Sequence, residues 1–394
     1  MKIRYALLFF CFVLPAFSDV SAQEVLKPQF RRQFYNPPVY IPQLPREVRE
    51  TSGLIWFKDL FWTHNDSGGR PEIYGLDPQN GKITAKVLVS NANNVDWEEI
   101  AQDDDYIYIG DFGNNRGVRK DLCVYKIPKS AFPTKGNVKV QAEKISFRWE
   151  KQTEFPAIAD RTTNFDCEAM IALHDRLILF TKNWGNQHSD IYSLPKTPGD
   201  YTAVYLMAWD ANGLITGADF DENTQTLALC GYKNYTPFVW LIQNFSSVDI
   251  IGWNALRLEL DDRGGSQTEG ICFGPMNYLY VSTEETSIYP PRIFKIDYES
   301  LISKLPIKGE DVFEYQYSIV DNQLRLRVRC KTGETLKVTL QNRKGQVIER
   351  WKLKPAEEPQ TLVTLLSDTR NLILKFESGK YLSTVVIQNP GKNE

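Results

Sequence analysis

Two short sequence marks recur together five times along this chain, and that repetition limits the fold more than any other feature. The first is an apolar-aromatic strand: Ile73-Tyr74-Gly75-Leu76, Val124-Tyr125-Lys126-Ile127, Ile191-Tyr192-Ser193-Leu194, Val239-Trp240-Leu241-Ile242 and Ile293-Phe294-Lys295-Ile296. The second lies upstream of each: Ser52-Gly53-Leu54, Glu98-Glu99-Ile100, Glu168-Ala169-Met170, Gly217-Ala218-Asp219 and Glu269-Gly270-Ile271. The first mark recurs at intervals of 51, 67, 48 and 54 residues, the second at 46, 70, 49 and 52. Marks that stretch and shrink together belong to one unit with loops of variable length. A period near fifty residues suits four strands per unit, the sequence signature of propeller blades.

Each unit parses into strands A to D by alternation and turn residues. In the first, A is Gly53–Phe57, B is Leu60–Thr63, C is Ile73–Leu76 and D is Ile83–Val89, with Asp77-Pro78-Gln79-Asn80-Gly81 turning C into D. The fifth unit has no obvious D strand. Val39–Leu44 can supply it, pairing the two ends of the ring and removing an exposed edge. The expectation is therefore an all-β chain: a β-propeller of five blades over residues 45–305, closed by the segment 23–44. A sixth blade would have to come from residues 151–165, which the parsing leaves unassigned. No long segment has helical periodicity.

The ends differ from the repeat. Lys2 and Arg4 precede an apolar run, Ala6–Phe17, and Val20-Ser21-Ala22 fits a small-residue cleavage site. Residues 1–22 read as a signal peptide, which implies a secreted, periplasmic or cell-surface protein with no transmembrane segment in the mature chain. Residues 310–394 alternate through Gln323–Cys330, Thr335–Leu340, Val347–Leu353, Gln360–Leu366, Asn371–Phe376 and Tyr381–Ile387. Roughly seven short strands in that span imply a small β-sandwich. A net charge of −3 with no basic tract gives no purchase for nucleic acid. Cys123, Cys167, Cys230, Cys272 and Cys330 form no close pair, so buried thiols are expected, with a Cys230–Cys272 bridge between neighbouring blades as the alternative.

Trp62-Thr63-His64-Asn65-Asp66-Ser67-Gly68, Asp96-Trp97-Glu98-Glu99-Ile100-Ala101, Gly110-Asp111-Phe112-Gly113-Asn114 and Thr268-Glu269-Gly270-Ile271 resemble the secreted β-propellers of the broad NHL, YVTN and phytase-like kind, over roughly residues 45–300. The resemblance implies architecture and leaves activity open, because that fold carries lactonases, phytases, glycan-active enzymes, lyases and binding scaffolds alike. Leu336–Val347 and Gly379-Lys380-Tyr381-Leu382 resemble the C-terminal sorting domain of type IX-secreted bacterial proteins, although the usual lysine-ended last strand is missing.

In a propeller the start of strand A and the end of strand B meet at one mouth of the ring. Strand A brings Ser52, Glu98, Glu168 and Glu269, with Gly217 and nearby Asp219 in the fourth unit. The ends of strand B bring His64, Asn65, Asp66, Asp111, Lys182, Asn183, Tyr232, Lys233 and Glu284. Carboxylates crowded together raise one another's pKa. Either a hard cation such as calcium, held by Glu98, Glu168 and Glu269, or pairing with Lys182 and Lys233 would relieve them. Gly110–Gly117 reads as a shaped loop over the mouth, with Asp111, Asn114 and Asn115 as further candidate ligands.

Three functions follow. The leading one is a monomeric binding propeller whose acidic mouth takes a small-molecule, glycan or protein ligand through Asn65, Asp66, Asp111, Lys182, Asn183 and Glu284, with calcium as the only cofactor in view. The second is a hydrolase, acting on an ester, lactone, phosphoester or glycoside, with catalytic candidates Glu98, Glu168, Glu269 and His64. The third is a structural component of a cell-envelope assembly.

Overall fold

Runs such as Leu60-Phe61-Trp62 are apolar on both faces, so the strands they form must be covered on both. In the structure, a computed structural model, Trp62 packs toward the second blade and Phe61 toward the fifth. Residues 30–388 are described, apart from 156–158, 244, 246–253, 261–264, 303–306, 309–311, 321, 343–344, 357 and 367–370. The expected signal peptide lies outside the described residues.

Strands β1 (Phe30–Phe34) and β2 (Val39–Ile41) precede the first blade. Blade one is β3 (Thr51–Phe57), β4 (Leu60–Asn65), β5 (Glu72–Leu76) and β6 (Ile83–Val89). Blade two is β7 (Trp97–Gln102), β8 (Tyr106–Asp111), β9 (Cys123–Pro128) and β11 (Glu143–Trp149), after an excursion through β10 (Gly136–Val140). Blade three is β12 (Cys167–Leu173), β13 (Arg176–Thr181), β14 (Ser189–Pro195) and β15 (Gly199–Trp209). Blade four is β16 (Leu214–Asp221), β17 (Thr226–Lys233), β18 (Thr236–Gln243) and β19 (Asn254–Glu259). Blade five is β20 (Thr268–Phe273), β21 (Leu279–Thr283) and β22 (Arg292–Ile296), completed by β2, whose Val39 pairs with Phe294. The N-terminal segment thus supplies the missing outer strand and closes the ring.

The apolar core is divided among the five seams between adjacent blades, one cluster to each. Outer edges are protected too, as unpaired edges invite association. β10 adds to β6, β1 adds to β19, and β11 pairs in parallel with β15 so that blades two and three share one eight-stranded sheet. Residues 151–165 form no further blade among the described positions. Arg161 from this stretch reaches the mouth, and the stretch and the β10 excursion together lengthen the second interval. The five cysteines named above are all free thiols, so Cys230 and Cys272 are not bridged.

One irregularity repeats in every blade. The register between the first two strands slips near the start of the inner strand: over Ser52–Ile55, Trp97–Glu99, Cys167–Ala169, Ile215–Gly217 and Thr268–Gly270. A bulge leaves one residue unopposed and re-aims its side chain. In blades two, three, four and five that residue is Glu98, Glu168, Thr216 and Glu269. The fourth position is therefore Thr216, one residue before the glycine that repeat alignment suggests.

Eight further strands follow the propeller: β23 (Ile307–Lys308), β24 (Phe313–Val320), β25 (Gln323–Cys330), β26 (Leu336–Asn342), β27 (Val347–Leu353), β28 (Gln360–Leu365), β29 (Asn371–Ser378) and β30 (Tyr381–Gln388). They form two sheets, β24-β25-β28 and β23-β30-β29-β26-β27. Leu324, Leu326 and Val328 of the first share a core with Val338, Leu340, Leu374 and Phe376 of the second. This is the expected sandwich, with β24 and β23 added to the strands read from alternation.

Candidate functional site

The bulged inner strands and the ends of the second strands meet around a cavity of about 120 Å³. Ser52, Glu98, Glu168 and Glu269 reach it from the inner strands; Asp66, Lys182, Tyr232 and Glu284 reach it from strand ends. Asn115, Arg161, Trp184 and Gln267 complete the wall. Arg161 comes from the loop after blade two. Its N–H donates to the Asn115 carbonyl at 2.9 Å, and its guanidinium lies 5.4 Å from the Trp184 ring centre.

Several candidates lie elsewhere. His64 is fully buried, its ring 5.6 Å from Trp97 edge-on and Nδ1 3.1 Å from the Asn65 carbonyl. Burial pulls its pKa down to about 4. It is a neutral core histidine, not a group at the mouth. Asn65 donates to the Glu47 carbonyl at 2.7 Å, and Asn183 accepts from the Thr181 hydroxyl at 2.6 Å. Asp111 pairs with Arg119 at 2.9 Å and accepts the Asp96 N–H at 3.1 Å, so it braces the mouth from behind. Lys233 turns away to Asn212. Asp219 accepts the Phe220 and Phe273 amides at 2.9 and 2.8 Å and does not line the cavity.

The closest carboxylates differ from the expected set of Glu98, Glu168 and Glu269. Two groups form, each with its oxygens within 4.8 Å of one another: Asp66, Asp96 and Glu98, and Glu98, Asp166 and Glu168. Glu98 belongs to both, while Glu269 belongs to neither. Asp96 and Asp166 are the residues sequence reasoning passed over. A signal for them exists: each stands two positions before a bulged glutamate, giving Asp96-Trp97-Glu98 and Asp166-Cys167-Glu168. Gly113 fits against this pair, because a Cβ there would come within 2.2 Å of Glu98 Oε1 and 2.5 Å of Asp96 Oδ2.

The two groups are not equally engaged. Asp166 accepts the Asn114 amide at 2.6 Å, the Cys167 amide at 3.1 Å and the Trp184 indole N–H at 2.8 Å. Glu168 receives the Lys182 ammonium at 2.5 Å. Lys182 also sits 4.8 Å from the Trp184 ring and 5.2 Å from Tyr232. By contrast, the Glu98 side chain, 4% exposed, has no hydrogen-bond or ion-pair partner among the described residues, and Asp66 Oδ1 is buried without one.

Burial and mutual repulsion raise the acids. Burial, then Asp66 and Glu168, push Glu98 well above the ordinary range. Burial, then Asp66 and Asp166, push Asp96 up to about 7. Burial, eased by Lys182 and reinforced by Glu284, puts Glu269 at about 8, and burial with Asp66 beside it puts Glu284 at about 7. Burial works against the charge of Lys182, but Glu168, Tyr232 and Glu269 override it and hold the ammonium well above its usual range.

Below the cavity Glu99 crosses the central channel. Its carboxylate accepts the Ile100 amide at 2.9 Å and the Ala218 amide of blade four at 2.7 Å, with the Met170 amide of blade three a further partner. Gly53, at φ 63°, lets blade one approach it, since a Cβ there would lie 2.9 Å from Glu99 Oε1.

No protein-family model matches this chain, and no curated protein matches it. Solved structures similar to it include an exo-β-1,3-galactanase from Phanerochaete chrysosporium, 11% identical, covering 89% of this chain and 100% of that one, with a TM-score of 0.43. A glucose dehydrogenase-type oxidoreductase from Thermus thermophilus is also 11% identical, covering 66% and 98%, with a TM-score of 0.36. The soluble aldose sugar dehydrogenase of Escherichia coli is 11% identical, covering 66% and 98%, at 0.35.

Proposed function

We propose that this β-propeller is a cation-dependent binding protein, with calcium held by Asp66, Asp96 and Glu98 and the ligand taken at the mouth above them. The observation that carries the reading is Glu98: a carboxylate buried to 4% exposure, without a donor, facing four other carboxylates. Without a cation the buried acid avoids the cost of ionisation by keeping its proton, and a cation would both ionise it and supply the missing partner. Calcium takes six to eight oxygens, and three carboxylates with some bidentate contacts provide part of that shell. The Asp166–Glu168 side is already served by three N–H donors and Lys182, so the cation belongs on the other side of Glu98.

The hydrolase that would use His64 as its base is disfavoured, because His64 is buried in the core at a pKa of about 4. The N-terminal address fits the same reading, since exported modules work with calcium sites of Kd about 10⁻⁴–10⁻³ M. The test is calorimetric titration of the mature protein with calcium. One equivalent should bind to the wild type and none to Glu98→Gln; equal binding by both would remove the cation from this site.

A further inference from the structure

The cavity is small for a ligand site. Its volume of about 120 Å³ stands against the roughly 300–1,000 Å³ of sites that enclose a drug-sized molecule. Only a head group can enter, and the rest of any ligand must lie on the loops around the mouth. Those loops are apolar at their tips. Val95 precedes Asp96, Val118 follows Asn115, Tyr235 follows Tyr232, and Ile288 follows Glu284; their exposures are 43%, 39%, 57% and 65%.

The charge inside the cavity is arranged for an anion once the cation is in place. Three protein carboxylates leave calcium short of six to eight oxygens. Lys182 and Arg161 line the same space, and the Arg161 guanidinium, held over Trp184, has among the described residues only a distant ion-pair partner, Asp160 at 3.8 Å. A carboxylate is a head group of the right size to complete the shell and meet Arg161. Valine, isoleucine and tyrosine tips suit the apolar side chains of a polypeptide better than the hydroxyls of a glycan.

We propose that the mouth captures an acidic side chain or a C-terminal carboxylate of a protein partner, whose oxygens complete the cation's coordination beside Arg161 while neighbouring apolar residues rest on Tyr235 and Ile288. This rests on the cation reading above. The experiment is to pan a random-peptide phage library on the mature protein in calcium and again in EDTA, then to measure the enriched peptide, synthesised, by fluorescence anisotropy. Peptides enriched in calcium should carry Asp, Glu or a free C-terminal carboxylate beside apolar residues. Affinity should fall about tenfold or more in EDTA, in Arg161→Ala and in Ile288→Ser, the size expected for loss of an interface anchor. Ile288→Ser, away from the cation, should still bind calcium as the wild type does. If calcium binds but the enriched peptides are basic or absent, or bind equally in EDTA, the partner assignment is wrong. Oligogalacturonate binding without peptide binding would assign the mouth to an acidic glycan instead. If calcium itself does not bind, the cation reading fails first.

Discussion

Replacing Glu98 with glutamine should reverse the stability order of the two proteins according to whether calcium is present. Glu98 has carboxylate oxygens within 4.8 Å on both sides, from Asp66 and Asp96 and from Asp166 and Glu168. At an effective dielectric of about 20, two unit charges at that distance repel by about 3.5 kcal/mol. The metal-free cluster lowers this by retaining protons, as the raised pKa of Asp96, about 7, records. Each unit of such a shift costs about 1.4 kcal/mol at a pH where the free acid would be ionised. Glutamine keeps the shape, removes one charge, and offers an amide donor to the carboxylates beside it. In EDTA at neutral pH, Glu98→Gln should therefore be more stable by about 2–3 kcal/mol, a melting temperature higher by about 4–12 °C. With calcium at a thousandfold excess over its Kd, the wild type gains about 4.1 kcal/mol and the variant almost nothing, so the order inverts. Differential scanning fluorimetry in EDTA and in calcium reads both effects. A variant less stable than wild type in EDTA, together with a wild type indifferent to calcium, would show that Glu98 is a structural group and refute the reasoning.

The pH dependence has a defined sign. Asp96, Glu269 and Glu284 have folded-state pKa values raised to about 7, 8 and 7, so their contribution is fully present below the unfolded carboxylate range near 4 and is lost as pH rises to about 8. Metal-free protein should melt at lower temperature as pH climbs through that window, and calcium should flatten the slope; a metal-free profile rising with pH would contradict this. Glu99→Leu leaves the Ile100 and Ala218 amides buried without their acceptor and should cost about 3 kcal/mol or more in urea denaturation, with cation binding weakened only through loss of fold. Lys182→Met strands buried Glu168 and should destabilise by about 3–5 kcal/mol, whereas Lys182→Met with Glu168→Leu should recover much of that loss in a double-mutant cycle. Removing residues 23–41 uncovers the edge of β22 and should abolish cooperative melting, while ending the chain near residue 305 should leave a propeller that melts as one unit, because the sandwich core is a separate cluster.

The architecture was legible because repetition survives variable loops. Five copies of two marks define five blades, and the unit that lacked an outer strand pointed to Val39–Leu44 as its supplier, of which Val39–Ile41 forms the strand. Strand ends were legible for the same reason: Lys182, Asp66 and Glu284 sit where a four-stranded blade must place them. What was harder to read came from departures within the repeat. The slip at each inner strand moved the fourth-blade position from Gly217 to Thr216, and nothing in alternation marks a one-residue bulge. His64 lies near the end of a strand, Leu60–Asn65, that is buried on both faces as far as His64, so its surroundings depended on Trp97 of the next blade. Arg161 reaches the mouth from a loop with no strand periodicity at all.

The sequence by itself determined the ring of blades, its closure, and the end of the ring at which acids collect, because local periodicity and chain order are written in one dimension. Only the tertiary structure decided which acids touch. Glu98 stands between Asp96 and Asp66 on one side and Asp166 and Glu168 on the other because residues from three blades converge across the mouth. Whether a carboxylate meets a lysine, an amide or nothing is set by packing between blades.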